Sequence, residues 1–130
     1  MIRTHLTSLA LAVAVATAAA ATGALAQDTL KSGSFRGAGG HKSSGQVRIV
    51  KDGGVTKVVF ANNFRLDGAP DARVAFGNGR YARGTIIAKL RRLKGGQSYA
   101  IPRRINIAKY SQVWLWCLRY NVPLAVANVK

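Results

Sequence analysis

Residues 110–118 read Tyr110-Ser111-Gln112-Val113-Trp114-Leu115-Trp116-Cys117-Leu118, and this stretch decides the fold. It holds both tryptophans and the single cysteine of the chain. In an extended backbone successive side chains point to opposite faces. Val113, Leu115 and Cys117 then share one face, and Trp114, Trp116 and Leu118 the other. A strand that is apolar on both faces has to be covered on both, which predicts a central strand.

Beyond it, Arg119-Tyr120-Asn121 reads as a turn into a last strand over 122–129, with Val122, Leu124, Val126 and Asn128 on one side. Pro123 near its start suits an edge strand or a first strand residue, because proline cannot donate to a ladder. Before it, residues 103–109 form an amphiphilic connector. Residues 98–101 make a short strand stopped by Pro102 and preceded by the turn Lys94-Gly95-Gly96-Gln97. The segment 81–94 carries two signals: Ile86, Ile87, Leu90 and Leu93 have some helical spacing, while Gly84-Thr85-Ile86-Ile87 looks like strand.

The firmest local expectation is a hairpin. Residues 46–50 alternate with Val47 and Ile49 on one face, 56–60 answer with β-branched residues, and Lys51-Asp52-Gly53-Gly54 joins them. Asp-Gly and Gly-Gly supply the positive φ that two-residue turns demand. A third strand over 72–76 lies between the Asp-, Gly- and Pro-rich turn at 66–71 and Gly77-Asn78-Gly79. Residues 27–40, with four glycines, read as a polar lead-in pinned by Phe35, followed by a turn at 41–45. Short strands with such turns and no convincing helix predict a single-domain antiparallel β-sandwich or closely related barrel.

Residues 1–26 read as a cleaved secretory signal peptide. Arg3 gives a positive start, 6–21 is an uncharged Ala/Leu/Val run, and Ala24-Leu25-Ala26 is a small-x-small cleavage site. The domain is then 27–130, one domain of 104 residues, with no transmembrane segment after cleavage. The expected location is periplasmic or secreted. Without Arg3, nineteen basic residues face four acidic ones (Asp28, Asp52, Asp67, Asp71), a net charge of +15 with no glutamate. Such a surface favours acidic partners: an acidic protein or an anionic envelope surface. Nucleic acid ranks low for an exported chain.

The residues also restrict the chemistry. A c-type haem needs C-x-x-C-H, an iron–sulfur cluster about four thiolates, and a blue-copper site two histidines with cysteine and an axial methionine. After cleavage only His41 and Cys117 remain, so no cofactor or metal site is expected within the chain. One cysteine permits no internal disulfide. As a thiol it is open to mixed-disulfide or sulfenic chemistry, but in the most apolar strand it reads first as a small, inert core hydrophobe. A Cys117–His41 dyad has neither a nucleophile elbow nor an oxyanion loop to support it. Asp67 and Asp71 share one turn and read as turn-shaping residues rather than an acid–base pair. The basic clusters Arg80/Arg83, Arg91-Arg92-Lys94 and Arg103-Arg104, interleaved with Tyr81 and Tyr99, offer a face for an anionic partner.

Four blocks carry a resemblance to a known family. They are Gly33-Ser34-Phe35 with His41 and Ser44-Gly45-Gln46-Val47; Asn63-Phe64 with Gly68-Ala69-Pro70-Asp71 and 72–76; Lys94-Gly95-Gly96-Gln97-Ser98-Tyr99 with Ile101-Pro102; and 110–117 with Val122, Leu124 and Ala125. In this order the chain resembles the DM-thirteen domain, a small module found beside DOMON domains and labelled an electron-transfer domain. The resemblance implies an all-β sandwich and a redox role for Cys117; the aromatic neighbours of the thiol, Trp114 and Trp116, read as core anchors rather than as an electron path. The chain departs from the family in its charge and in lacking a companion haem domain, so the redox partner is expected to be a separate molecule. The competing expectation is a non-catalytic binding module, docking an acidic protein or envelope polyanion through Arg91, Arg92, Lys94, Arg103 and Arg104. An enzymatic role is the least supported.

Overall fold

The computed structural model describes residues 10–14 and 27–130. From Asp28 onward the chain forms β1 (Asp28–Gly37), β2 (Ser43–Ser44), β3 (Gln46–Asp52), β4 (Val55–Phe60), β5 (Arg65–Leu66), β6 (Ala72–Gly77), β7 (Ala88–Lys89), β8 (Gln97–Ala100), β9 (Gln112–Cys117) and β10 (Val122–Asn128). A single 3-10 turn, Ile107–Lys109, precedes β9. No helix among the described residues is long and apolar enough to cross a membrane. Apart from 10–14, which are exposed, the signal peptide read over 1–26 lies outside the described residues.

All paired strands are antiparallel, in the order β7-β6-β9-β10-β1-β3-β4-β8, with β2 and β5 as a separate ribbon. The expected all-β architecture is therefore what forms, and β9 is central, held between β6 and β10. The hairpin also forms as read: Asp52 pairs with Val55 across Gly53 and Gly54, whose φ values of 57° and 98° are the left-handed pair of a two-residue turn.

The hinge of the fold is β1, which the glycines disguised as a lead-in. Its first part pairs with β3 and its last three residues pair with β10, so one strand serves both halves of a nearly closed sheet. Gly33 is required where the halves meet, since a Cβ there would lie 1.9 Å from the Asn128 carbonyl oxygen. Phe35 of β1 is buried, as expected, against Phe60 and Phe64 at ring-centroid separations of 5.0 and 5.3 Å. Val47, Ile49 and Val58 from one half meet Val74, Val113, Leu115 and Leu124 from the other in one core.

Three other expectations need correction. The segment 81–94 forms no helix; it lies along β6 through backbone bonds from Ala82, Ile87 and Leu90 to Phe76, Val74 and Ala72, with only the two-residue β7 as regular strand. Pro123 sits in an interior strand, tolerated because the ladder shifts register between Pro123 and Ala125. That bulge breaks the expected alternation, so Leu124 and Ala125 both join the core with Ala127, while Val126, opposite Trp114, is buried on the other face. Finally, the second face of β9 is only half covered, and Leu118, 46% exposed, lies beyond the strand end.

The open edges are sealed by side chains. Gln97 of β8 turns its amide onto the backbone of Arg92: its Oε1 accepts from the Arg92 N–H at 3.2 Å and its Nε2 donates to the Arg92 carbonyl at 2.8 Å. Tyr99 Oη accepts from the Arg91 N–H at 3.0 Å and donates to Gln97 Oε1. A glutamine amide thus supplies the donor and acceptor that a neighbouring strand would have supplied.

Candidate functional site

Alternation along β9 divides its side chains as the sequence predicts. Val113, Leu115 and Cys117 face the core, and Trp114 and Trp116 face outward. Cys117 pairs across to Ala72 of β6 and Val122 of β10, and it is a free thiol only 1% exposed. A partner's sulfur has no approach to it in the folded molecule.

The outward face is ordered by residues that the sequence did not connect with β9. Tyr81 stacks on Trp116 with centroids 4.1 Å apart and planes 10° from parallel. Trp114 meets Trp116 edge-on at 6.3 Å. Each indole N–H is committed: Trp114 Nε1 donates to Gln112 Oε1 at 3.0 Å, and Trp116 Nε1 donates to Asn121 Oδ1 at 3.2 Å. Gln112 is held in turn by Asn128. Asn121 adopts φ 52° at the end of the 118–121 turn, a conformation asparagine tolerates better than most residues. Gly77 lets this surface close up, because a Cβ there would lie 2.4 Å from Trp114 Nε1 and 2.1 Å from the Arg80 carbonyl oxygen.

Beside the stack runs a groove of about 640 Å³, bordered by Tyr81, Arg83, Ile86, Trp116 and Leu118. Its far wall, 84–86, is fixed from both sides. Arg104 donates to the Gly84 and Ile86 carbonyls, both at 2.9 Å, and Thr85 Oγ1 is buried against the backbone of Phe76 and Ala82. Partial burial pushes the Tyr81 phenol pKa up, and the charge of Arg83 offsets part of the rise. The arrangement presents a rigid, oxidisable aromatic pair to solvent on one side of β9, with a shielded thiol on the other.

The five cations proposed as a docking face do not act alike. The Arg91 guanidinium lies over the Tyr99 ring, 4.5 Å from its centroid, and donates to the Ser98 carbonyl; that of Arg92 donates to Gly96. Arg104 is the clamp just described. Arg103 and Lys94 are exposed, with no side-chain partner among the described residues. His41 is engaged by Asp67 at 3.0 Å on the surface while Cys117 is in the core, so the structure does not assemble a Cys–His dyad. Asp71 is bound to Arg73 at 2.9 Å, apart from Asp67. Among the described residues no group of three or more His, Cys, Asp or Glu is placed to hold a metal ion. Sequence patterning could not have found Tyr81, Gly77, Asn121 or the Arg104 clamp as parts of this site. Only the choice of Asn before a strand and Gly after one hinted at tight local geometry.

Comparison with known proteins gives one result. The family described as electron transfer DM13 matches residues 34–129, well over half of the chain and all four blocks of the resemblance apart from Gly33. No curated protein and no solved structure matches.

Proposed function

This chain belongs to the electron-transfer DM13 family, and from that premise we propose that it is an exported electron-transfer accessory module. Its redox element is the aromatic face of β9 with Cys117 behind it. The observation that supports this is the pairing of Tyr81 and Trp116 at 4.1 Å, one residue along the chain from the shielded thiol. Parallel, nearly coincident rings in contact with solvent couple well to a partner that docks on them. An acidic redox protein would be drawn to this face by the excess of basic charge.

The chemistry at the face balances without a bound cofactor. A one-electron oxidant on the partner takes an electron from the Trp116 indole. Tyr81 refills it, and the phenolic proton leaves to solvent. A one-electron reductant then returns an electron to the tyrosyl oxygen, which takes a proton back. Cys117 takes part in sulfur chemistry only when the β9–β10 end opens. Its thiolate then attacks a partner disulfide, forming one S–S bond as the other breaks and the second partner sulfur leaves as thiolate.

Flash photolysis with a soluble one-electron photo-oxidant tests the aromatic route. The intact protein is expected to give an indolyl transient that decays into a tyrosyl one, and Tyr81→Phe to keep the first and lose the second. Identical transients in the intact protein and in Trp116→Phe would remove the proposal.

A second reading, a binding module for anionic partners, is favoured by the charge balance. Three of the four carboxylates are already engaged, by His41, Lys57 and Arg73. Most of the basic surface therefore has no internal counter-charge. Of the five cations first assigned to it, Lys94 and Arg103 have no hydrogen-bond partner for their side chains among the described residues, and Arg91, Arg92 and Arg104 bond only to neutral carbonyls.

A further inference from the structure

One place on the surface gathers like charge without a visible structural return. The β2–β5 ribbon is extended by an isolated antiparallel bridge between Arg65 and Lys94, so Ser44, Arg65 and Lys94 lie directly opposite one another across three chain segments. Directly paired residues in an antiparallel ladder project to the same face. All three are exposed, and this row points to solvent while Leu66, one residue on, is buried in the core. Lys42, two residues before Ser44, lies on the same face and borders the same shallow groove of about 370 Å³.

Like charges set directly opposite each other destabilise a ladder. One carboxylate faces them. Asp67 borders the groove, where hydrogen bonds from the Lys42 N–H at 2.9 Å and the His41 ring at 3.0 Å hold it ionised and aimed at those donors, so it offsets one of the three positive charges and leaves an excess. Among the described residues none of the three ion pairs engages Lys42, Arg65 or Lys94.

We infer that Lys42, Ser44, Arg65 and Lys94 form a binding site for a phosphoryl oxyanion, either free or as the phosphate group of a lipid headgroup. A guanidinium and two ammonium groups suit a tetrahedral oxyanion, to which charge-assisted hydrogen bonds form strongly. The Ser44 hydroxyl adds a neutral donor. The inference rests on the anion-binding reading and is independent of electron transfer. It replaces Arg91 and Arg92, which are occupied internally, with residues free to receive a ligand.

The test is an NMR titration of the full ¹⁵N-labelled chain at low ionic strength, with inorganic phosphate in one arm and phosphatidic acid vesicles in the other. Saturable shifts are expected at the Ser44, Arg65 and Lys94 amides, about tenfold weaker binding in Arg65→Gln and in Lys94→Gln. Saturation by phosphate alone shows that the free anion suffices, and saturation only by vesicles assigns the lipid source. Both variants relieve repulsion, so their unfolding midpoints should be unchanged or raised; a lowered midpoint would overturn the argument. Shifts scattered over the charged surface and equal in the variants would reject this site while leaving the broader anion-binding reading. No response to either titrant would reject both.

Discussion

Trp116 and Cys117 are consecutive on β9 yet occupy opposite environments: the indole lies against the Tyr81 ring at 4.1 Å, and the sulfur beside it in sequence is 1% exposed in the core. The separation follows from strand geometry alone, since neighbouring side chains point to opposite faces. It splits any redox role between two kinds of chemistry. Charge can enter at the aromatic face without opening the fold, whereas sulfur exchange requires the strand end to separate.

The thiol itself should report on that opening. Alkylation of native protein is expected to be slow and to follow the denaturant dependence of unfolding, with no fast phase. Cys117→Ser should lower stability by about 1–3 kcal/mol, because a hydroxyl replaces sulfur in an apolar site. Cys117→Ala should cost less, and denaturant unfolding of the two variants separates the outcomes. Fast modification of folded protein would place the sulfur within reach of partners.

Gly77→Ala should disturb the aromatic face from behind. The added methyl would meet the Arg80 carbonyl and the Trp114 ring nitrogen well inside contact distance. The expected cost is about 1–3 kcal/mol, as for overpacking elsewhere. Tryptophan emission should also shift, since Trp114 must leave Gln112. Unchanged emission and stability would show that the 77–80 turn yields freely.

How much of this was legible follows from where each constraint originates. The 46–60 hairpin and the central place of β9 were readable because pattern and turn residues lie within a few positions of one another. The strand character of β1 was hidden because Gly33 and Gly37 signal loops locally, while here they admit the backbones of Asn128 and His41. The cover on Trp116 was equally hidden. Tyr81 lies far upstream, in a segment whose course is set by backbone bonds to β6 and by Thr85, Arg104 and Gln97 rather than by any hydrophobic period. The docking cations divide for the same reason, since sequence counts charges and cannot show which also hold backbone carbonyls.

Gln97→Leu should unseal the edge between β8 and the chain after β7. It removes the bonds to both the N–H and the carbonyl of Arg92, and leaves Tyr99 without its acceptor. About 1–3 kcal/mol is expected from polar groups left unpaired. Hydrogen exchange should quicken at Arg91 and Arg92 while β9 stays protected. A uniform change across the molecule would mean that the edge does not open independently.

Tyr81 gives the pH dependence. Burial raises its pKa in the fold, with Arg83 opposing, above the value of about 10 expected in the unfolded chain. Below the unfolded value both states keep the phenolic proton, and the contribution of the stacked neutral ring is fully present. As pH rises through the folded value the unfolded chain has already lost its proton, so it gains relative to the native state and stability falls. Unfolding followed between about pH 9 and about pH 11.5 should show this decline, and Tyr81→Phe should flatten it. The same variant identifies the phenol in a phenolate absorbance titration, where the component lost should be the one displaced to high pH. If no component were displaced to high pH, the ring would have to be free of Trp116, and the stack on which the redox reading depends would not persist in solution.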